Sequence, residues 1–459
     1  MTPDLVTGIY DAGLLDGNVL FAIGVIFLFA FILINFVAVF AGICTYAERK
    51  VAGHMQARVG PYVVGPHGIL QWLADAVKLI LKEDIIPEKA DRFLFRAAPY
   101  VVFAGSFICW VALPFAPDLS PAALDIGVLY IVAFGSSVVL GILMAGWASG
   151  NKWAMFGAMR SAAQIVSYEI PTGLTILAIV MLVGSLNMHE ISRAQAVGLP
   201  FLGGTDWHLG AASWFIFRYP PFTMIAALIL YICALAETNR VPFDIPEAES
   251  ELVAGYHTEY TGFRFSIFFL SEYANMFVVS AIVATLFLGG WLPAYGKLCG
   301  DQFYEATSEK TGSLADKGVT TADGWQFTRQ GSVVLVTIQG RPKHSIPLKD
   351  GSTVFELTES TGRRATVDGD KIKVEDGKIV SGIWLASLLG EWAPLGRILE
   401  GMAWFFFKCF GLIFVMMWLR WTIPRYRVDQ LMDLCWKKLT PLAFINFFAV
   451  GLLHWAFGG

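Results

Sequence analysis

The sequence predicts an all-α polytopic membrane protein that has about eight transmembrane helices and a small β-rich external insertion. Apolar residues make up 56% of the 459 residues and charged residues only 15%, against roughly 25% charged in soluble domains. Only lipid lets so few charges keep so many apolar side chains out of water. This composition excludes a disordered chain and argues against a soluble enzyme.

Eight apolar segments are long enough to cross a hydrocarbon layer of about 30 Å, which takes about 20 helical residues. The first is not a signal peptide, because it is too long and its basic flank, Arg49-Lys50, follows the apolar run instead of preceding it. The predicted spans are Val19–Cys44, Ala97–Pro117, Ile126–Ser149, Ile170–Met188, Tyr219–Ala236, Tyr273–Tyr295, Ile398–Leu419 and Leu439–Phe457.

The distribution of lysine and arginine predicts which loops face the cytoplasm. The loops of one face carry 17 of these residues, whereas the short loops of the other face carry two. Both termini are therefore expected on the outer side. The long segment 296–396 is also expected outside, since loops of this length are translocated regardless of charge. The basic loops are 48–96, 150–162, 237–264 and 420–438, and the two exceptions are Arg193 and Arg218.

Residues 66–84 predict an amphipathic helix that is too polar to span the membrane and lies flat on its inner surface. Its polar and apolar residues fall on opposite sides of a helix with 3.6 residues per turn. The polar stripe contains Gln71, Asp75, Lys78 and Lys82, and the apolar stripe contains Leu70, Leu73, Val77, Ile80 and Leu81.

Residues 325–382 instead predict a small β module, with a tolerated surface insertion as the simpler interpretation. Val333–Ile338 is typical of a strand, and the Asp-Gly pairs at 350–351, 368–369 and 376–377 are typical of hairpin turns. The predicted domains are 1–295, the membrane domain with spans one to six; 296–396, the external β-rich insertion; and 397–459, with the last two spans.

Charge and cysteine usage argue against two kinds of site. The net charge of −4 gives no support for nucleic-acid binding. The six cysteines are scattered without any Cys-x-x-Cys pair, which argues against an Fe–S cluster or a zinc ion bound by this chain alone. No metal ligands are therefore predicted. No structural disulfide is expected either, because only Cys299 is predicted to lie outside the membrane on the outer face.

A strongly acidic stretch follows the fifth predicted span. Six acids lie within 23 residues, and in a helical or an extended conformation several of them share one face. Crowded carboxylates repel each other and hold protons more tightly, as a proton relay requires. Pro242 and Pro246 prevent one continuous helix, and irregular backbone near a membrane is buried in protein or lines a cavity. The acids are Glu237, Asp244, Glu247, Glu249, Glu251 and Glu259.

Four further charged residues, Glu169, Glu272, Glu400 and Lys408, fall within or beside predicted spans. A charge at the centre of a spanning helix costs about 2.5–3.5 kcal/mol, so it normally faces the protein interior or a wet cavity. Taken alone, each of them can be explained as a contact between helices. The acids taken together favour a relay.

Every predicted inner loop carries a distinctive motif, and the longest is Ala236–Glu259, AETNRVPFDIPEAESELVAGYHTE. These motifs resemble the H-subunit family of bacterial NADH–quinone oxidoreductase, called subunit 1 in mitochondrial complex I. The resemblance covers nearly all of the chain except about 296–396. The other matching residues are Glu48-Arg49-Lys50, Gln56–Pro61, Leu70-Gln71, Ala74–Leu79, Lys82-Glu83, Asn151-Lys152, Gly157, Arg160, Gln164, Ser167–Glu169, Glu272-Tyr273 and Pro424–Met432.

The resemblance implies a membrane subunit of the proton-pumping enzyme in the bacterial plasma (inner) membrane. Such subunits form the wall and entrance of the quinone channel, couple quinone reduction to proton translocation, and use five spans as an antiporter-like half-module. Quinone is then the substrate, either ubiquinone or menaquinone, while Fe–S clusters and FMN are expected only in partner subunits. The expected partners are peripheral-arm subunits, small and antiporter-like membrane subunits, and membrane lipid.

The resemblance also assigns roles to residues. Tyr62 and Trp72 depart from the family, which usually has Asn and Pro there, near the proposed channel entrance. The expected quinone contacts are Arg58, Arg240, Phe243, Phe263 and Arg160; the expected relay acids are Glu237, Asp244, Glu247, Glu249, Glu251, Glu259, Glu169 and Glu272; and the expected docking residues are Arg425, Arg427 and Asp429, with Arg49 and Lys50 as either docking or ordinary inner-face residues.

Two other functions remain open from the sequence. One is the related membrane anchor of an energy-converting hydrogenase, and the other is a stand-alone proton or ion transporter. The acidic loop and Pro424–Met432 favour the quinone enzyme over the first. The lack of an internal repeat weakens the second.

Overall fold

Helices form one compact unit of the computed structural model, made of Met1–Lys297 and Ile398–Gly459. The structure describes residues 19–117, 119–122, 124–195, 213–245, 249–294 and 393–457, together with eight strands between 302 and 381. The helices are α1 Val19–Met55, α2 Gln71–Leu81, α3 Arg92–Ile108, α4 Gly127–Ala148, α5 Lys152–Val183, α6 Met188–Ala194, α7 Phe222–Glu237, α8 Glu249–Leu252, α9 Gly262–Phe287, α10 Ala393–Thr422, α11 Val428–Asp433 and α12 Thr440–Phe457, with a π-helical segment, Leu434–Leu439, between the last two.

Within the described ranges, seven helical segments are long and apolar enough to cross a membrane. They confirm the multi-pass fold and seven of the eight predicted spans. The remaining one, Tyr219–Ala236, falls on α7, which has 16 residues. At 1.5 Å per residue these extend only about 24 Å, which is short of a hydrocarbon layer of about 30 Å.

Two spanning helices begin well before the residues predicted for them. α5 begins at Lys152 instead of Ile170, and α9 begins at Gly262 instead of Tyr273. Polar residues alone do not end a helix. The start of α5 is capped by Asn151, whose side-chain oxygen accepts a hydrogen bond from the Trp153 N–H at 3.0 Å. The apolar window marks only the part of a helix that is suited to lipid, so each of these helices also begins with a more polar segment.

The predicted amphipathic segment is a 3-10 turn, Pro66–Gly68, followed by α2. The polar side of α2 is tied to α1, since Asp75 accepts from Arg49 at 2.5 Å and from Gln71 at 3.1 Å. The apolar stripe is exposed in the isolated chain and comprises Leu70, Leu73, Val77, Ile80 and Leu81.

The second compact unit, Leu298–Arg397, contains eight strands in the described residues. In chain order, β1 to β8 are Gln302–Ser313, Val319–Thr320, Trp325–Gln330, Val333–Ile338, Arg341–Pro347, Phe355–Thr358, Arg363–Asp368 and Lys371–Ser381. They form two antiparallel four-stranded sheets, ordered β1-β8-β7-β6 and β2-β3-β4-β5. The prediction of a turn at Asp376-Gly377 is wrong, because this pair lies inside β8, opposite a bulge between Ala306 and Ser308 of β1. Asp368 ends β7 and pairs with Lys371 of β8, while Gly369 and the pair at 350–351 lie outside the described residues.

Candidate functional site

A cavity of about 710 Å³ lies between α1, α2, α9, α10 and the loop 58–61. Its volume falls in the range of sites that hold a small organic molecule, about 300–1,000 Å³. The polar lining residues are Thr45, Glu48, Arg49, Arg58, Asp75, Ser266, Tyr273 and Arg420; the larger apolar ones are Trp72, Leu79, Phe265, Phe269, Leu270 and Trp421.

Helical spacing explains why these side chains meet at one wall. On α9, Phe265, Phe269 and Tyr273 recur every four residues, so they stand on one face of the helix. On α1, the lining changes from small apolar residues near Ala38 to charged residues near Glu48. The cavity therefore has an apolar part and a polar part along α1, and small side chains leave the space open.

Glu48 is the centre of the polar part, and it is only 5% exposed. It accepts hydrogen bonds from Arg240 Nη1 and Tyr273 Oη, each at 2.6 Å, and from Arg420 Nη1. The Arg240 guanidinium also lies 4.5 Å from the centre of the Tyr273 ring. These four residues, from four separate elements, are called the Glu48 cluster below.

The Glu48 cluster contains more positive than negative charge, since one carboxylate faces two guanidinium groups. Burial alone would lower the pKa of Arg240, but Glu48 more than offsets this, so that pKa stays well above its ordinary value. Arg240 is therefore a permanent buried cation. An electron-rich group that enters the cavity beside Arg420 and Tyr273 meets a wall with excess positive charge.

The loop 238–245 after α7 places Arg240 in this cluster. Gln164 of α5 holds the loop by donating from Nε2 to the carbonyl oxygens of Ala236 at 2.7 Å and Phe243 at 2.8 Å. No described residue between Thr238 and Ile245 is helical, in agreement with the break predicted from the prolines. The loop is thus an ordered strap fixed to α5.

Residues 423–427, between α10 and α11, contact the other side of this strap. Arg425 Nη2 donates to Asp244 Oδ2 at 2.9 Å, and the Tyr426 N–H donates to the Pro242 carbonyl oxygen at 3.1 Å. The Phe243 and Tyr426 rings stack at 6.0 Å. Arg425, predicted as a docking residue, therefore also makes an ion pair within the chain.

The predicted relay acids do not gather on one face in the described part of the chain. Glu237 and Glu169 are electrostatic neighbours beside Gly135 and Ser136 of α4. The other acids face separate polar partners: Glu251 pairs with Arg160 at 2.7 Å, Glu259 accepts from Asn151 at 2.7 Å, Glu272 lies 3.7 Å from His257, and Asp244 pairs with Arg425. Glu247 and the side chain of Glu249 lie outside the described residues.

Comparison with known proteins gives the same family as the sequence motifs. The family model described as NADH dehydrogenase matches residues 27–338 and 374–451. The chain is 41% identical to the H subunit of NADH-quinone oxidoreductase from Chlorobium luteolum, over 88% of this chain and 82% of the relative. It is 41% identical to that of Anaeromyxobacter dehalogenans, over 92% and 79%, and 34% identical to that of Bacteroides thetaiotaomicron, over 89% and 85%. The chain belongs to the H-subunit family of NADH-quinone oxidoreductases. It is thus a multi-pass membrane subunit of an oxidoreductase complex.

The structure places the quinone contacts expected for this family at different distances from the cavity. Arg58 lines it, and Arg240 lies behind the lining through Glu48. Phe243 is buried between the Tyr168 and Tyr426 rings. Phe263 is 50% exposed at the start of α9, and Arg160 is engaged by Glu251. These last three side chains are not part of the cavity wall.

Sequence reasoning missed the three residues of the Glu48 cluster that line the cavity. Glu48 and Tyr273 stand in the family motifs but received no role, and Arg420 was counted only as an inner-face charge. A signal for Glu48 existed, because a carboxylate in the last turns of a spanning helix needs a buried partner. Among the described residues, no three His, Cys, Asp or Glu side chains come together as metal ligands.

Proposed function

We propose that this chain forms the membrane-side wall of the quinone route in an NADH-quinone oxidoreductase, with quinone as the substrate. The cavity carries the proposal, because it joins an apolar region to the Glu48 cluster. A quinone likewise joins an apolar tail to a ring with two carbonyl oxygens. Arg420 has several N–H donors that can reach such an oxygen, while Phe265 and Phe269 supply apolar surface. The names of the relatives favour this function over a hydrogenase anchor or a stand-alone transporter.

The quinone would enter from the bilayer past α2. The exposed apolar stripe of this helix suits a position in the interfacial layer of the membrane, and Trp72 and Leu79 of the same helix line the cavity. In this arrangement both termini face outward, and the basic inner loops meet the peripheral arm. Further partners would be small and antiporter-like membrane subunits in the bacterial plasma membrane.

Reduction of the quinone takes up two electrons and two protons and yields a quinol. The electrons would come from a cluster held by a partner subunit, together with its FMN. The part played by this chain would be to orient the ring and to respond to its charge. Added negative charge on the ring competes with Glu48 for Arg420 and Tyr273, which weakens the hold of Glu48 on Arg240.

The loop 238–245 would carry this response toward the relay acids. Arg240 binds Glu48 at the cavity, and Glu237, three residues earlier, lies beside Glu169 at α4. A shift of the strap therefore changes the electrostatic surroundings of both acids at once. Protonation of this pair would then couple quinone chemistry to proton movement along the membrane domain.

A photoreactive quinone tests the proposed route. The assembled complex in native membranes is irradiated with the probe, and labelled peptides are mapped by mass spectrometry. We expect labels within α2 or within 265–273 of α9, and excess quinone should compete with them. Labels only on partner subunits, in a complex that still reduces quinone, would contradict quinone contact by this chain.

The relay is tested by Glu237→Gln, which keeps the shape of the side chain and removes its exchangeable proton. We expect quinone reduction coupled to proton pumping to fall about tenfold or more, as for loss of a proton-transfer group. The amount of assembled complex should stay unchanged, because the amide fits the same space. Glu190→Gln, at an exposed acid of α6, is the matched control. Full coupled activity in Glu237→Gln would contradict the relay.

A further inference from the structure

Trp72 of α2 packs directly on Gly42 of α1 at the cavity wall. A Cβ atom added to Gly42 would lie 2.4 Å from Trp72 Cε3 and 2.6 Å from Trp72 Cδ2. These distances are well inside van der Waals contact, so the indole occupies the space that any other residue at position 42 needs. Both residues line the cavity.

This contact lies in the apolar part of the cavity. Gly42 precedes Glu48 by six residues on α1, about 9 Å along the helix axis. Its neighbours in the lining, Ala38 and Ala41, are also small and uncharged. The lumen at this level is therefore bounded by helix backbone and methyl groups on α1 and by a flat, rigid indole on α2.

We propose that Gly42 and Trp72 together determine which quinone tails the cavity accepts. The inference rests on the proposed quinone route and adds a specificity determinant to it. An isoprenoid tail carries a methyl branch on every unit, so it needs a wider passage than a straight alkyl chain. The recess at Gly42 holds the indole back against α1 and keeps this passage open, while the Glu48 cluster contacts the ring.

The test compares two substrates in the assembled complex: a quinone with several isoprenoid units and the same ring with a short straight alkyl chain. Gly42→Ala is expected to raise KM for the isoprenoid quinone about tenfold, the cost of one misfitting methyl group in an apolar pocket. KM for the short-chain quinone should stay nearly unchanged. Adding Trp72→Leu to Gly42→Ala should restore the parent value, because the smaller side chain makes room for the new methyl group.

Two measurements keep the outcome clear. The amount of this chain in the purified complex reports assembly. If Gly42→Ala does not assemble, Trp72→Leu alone should lower KM for the isoprenoid quinone relative to KM for the short-chain quinone. An equal change of KM for both quinones, or no recovery in the double variant, would overturn tail selection. Absence of photoreactive quinone label on this chain in the parent complex would instead overturn the quinone route itself.

Discussion

Replacing Glu48 by glutamine is expected to remove most quinone reduction while NADH oxidation by an artificial acceptor continues. Glutamine keeps the shape of the side chain but removes the charge that faces Arg240 and Arg420. Arg240 is only 3% exposed, and leaving one partner of a buried ion pair alone costs about 3–5 kcal/mol. Arg420 and Tyr273 also lose the carboxylate that positions them at the cavity wall, and misplaced positioning groups can cost about a hundredfold in rate. We expect kcat/KM for quinone to fall about a hundredfold.

Glu88→Gln is the matched control, because Glu88 is an exposed acid outside the cavity lining. A milder variant is Tyr273→Phe, which keeps the ring beneath Arg240 and removes one hydrogen bond to Glu48. Glu48 keeps its contacts with Arg240 and Arg420 in this variant, so the wall is disturbed less, and kcat/KM should fall less than in Glu48→Gln, about tenfold. Parent values of kcat/KM in both Glu48→Gln and Tyr273→Phe would show that quinone does not depend on the Glu48 cluster.

The spans and the Glu48 cluster differ in how far they can be predicted from sequence. A spanning helix is recognised from a local run of apolar residues, so seven of the eight predicted spans are observed. The Glu48 cluster joins four elements, and its most distant members, Glu48 and Arg420, are 372 positions apart. Nothing local in the sequence links an acid in the first span to an arginine in the seventh.

The acidic stretch shows a second limit. The number of acids between Glu237 and Glu259 predicts one group of mutually repelling carboxylates. In the structure, Arg160, Asn151 and Arg425 each bind one of these acids. These acids are kept apart because the loop 238–245 is bound to α5 on one side and to Arg425 on the other. The periodicity of the sequence does not reveal such contacts between distant elements. Among the predicted relay acids, Glu237 and Glu169 are electrostatic neighbours.

A second large effect is expected at Lys408 of α10, a buried cation outside the cavity wall. Its ammonium is 7% exposed and donates to the carbonyl oxygens of Leu288 at 2.6 Å, Gly290 at 2.8 Å and Leu292 at 2.6 Å. An ammonium has three N–H donors, so these three carbonyls use all of them. Gly289 and Gly290 have φ values of +75° and +53°, and this left-handed turn after α9 brings the carbonyls together.

Lys408→Met is therefore expected to destabilise the complex rather than change its chemistry. Methionine has similar length but no donor, and each unpaired buried carbonyl costs about 1–3 kcal/mol, so the loss is at least about 3 kcal/mol. The variant also loses the cation 4.2 Å from the Trp214 ring centre and the charge that favours the carboxyl end of α9. The midpoint of thermal inactivation of the purified complex should fall by several degrees.

Lys438→Met makes the same replacement at an exposed lysine of the π-helical segment, so it separates loss of the buried contacts from loss of a charge. KM for quinone should stay at the parent value in Lys408→Met, because the side chain is not part of the cavity wall. The two variants would have equal thermal midpoints if Lys408 only balanced charge. A lower midpoint for Lys408→Met alone, with unchanged KM, is the result that the three carbonyl contacts require.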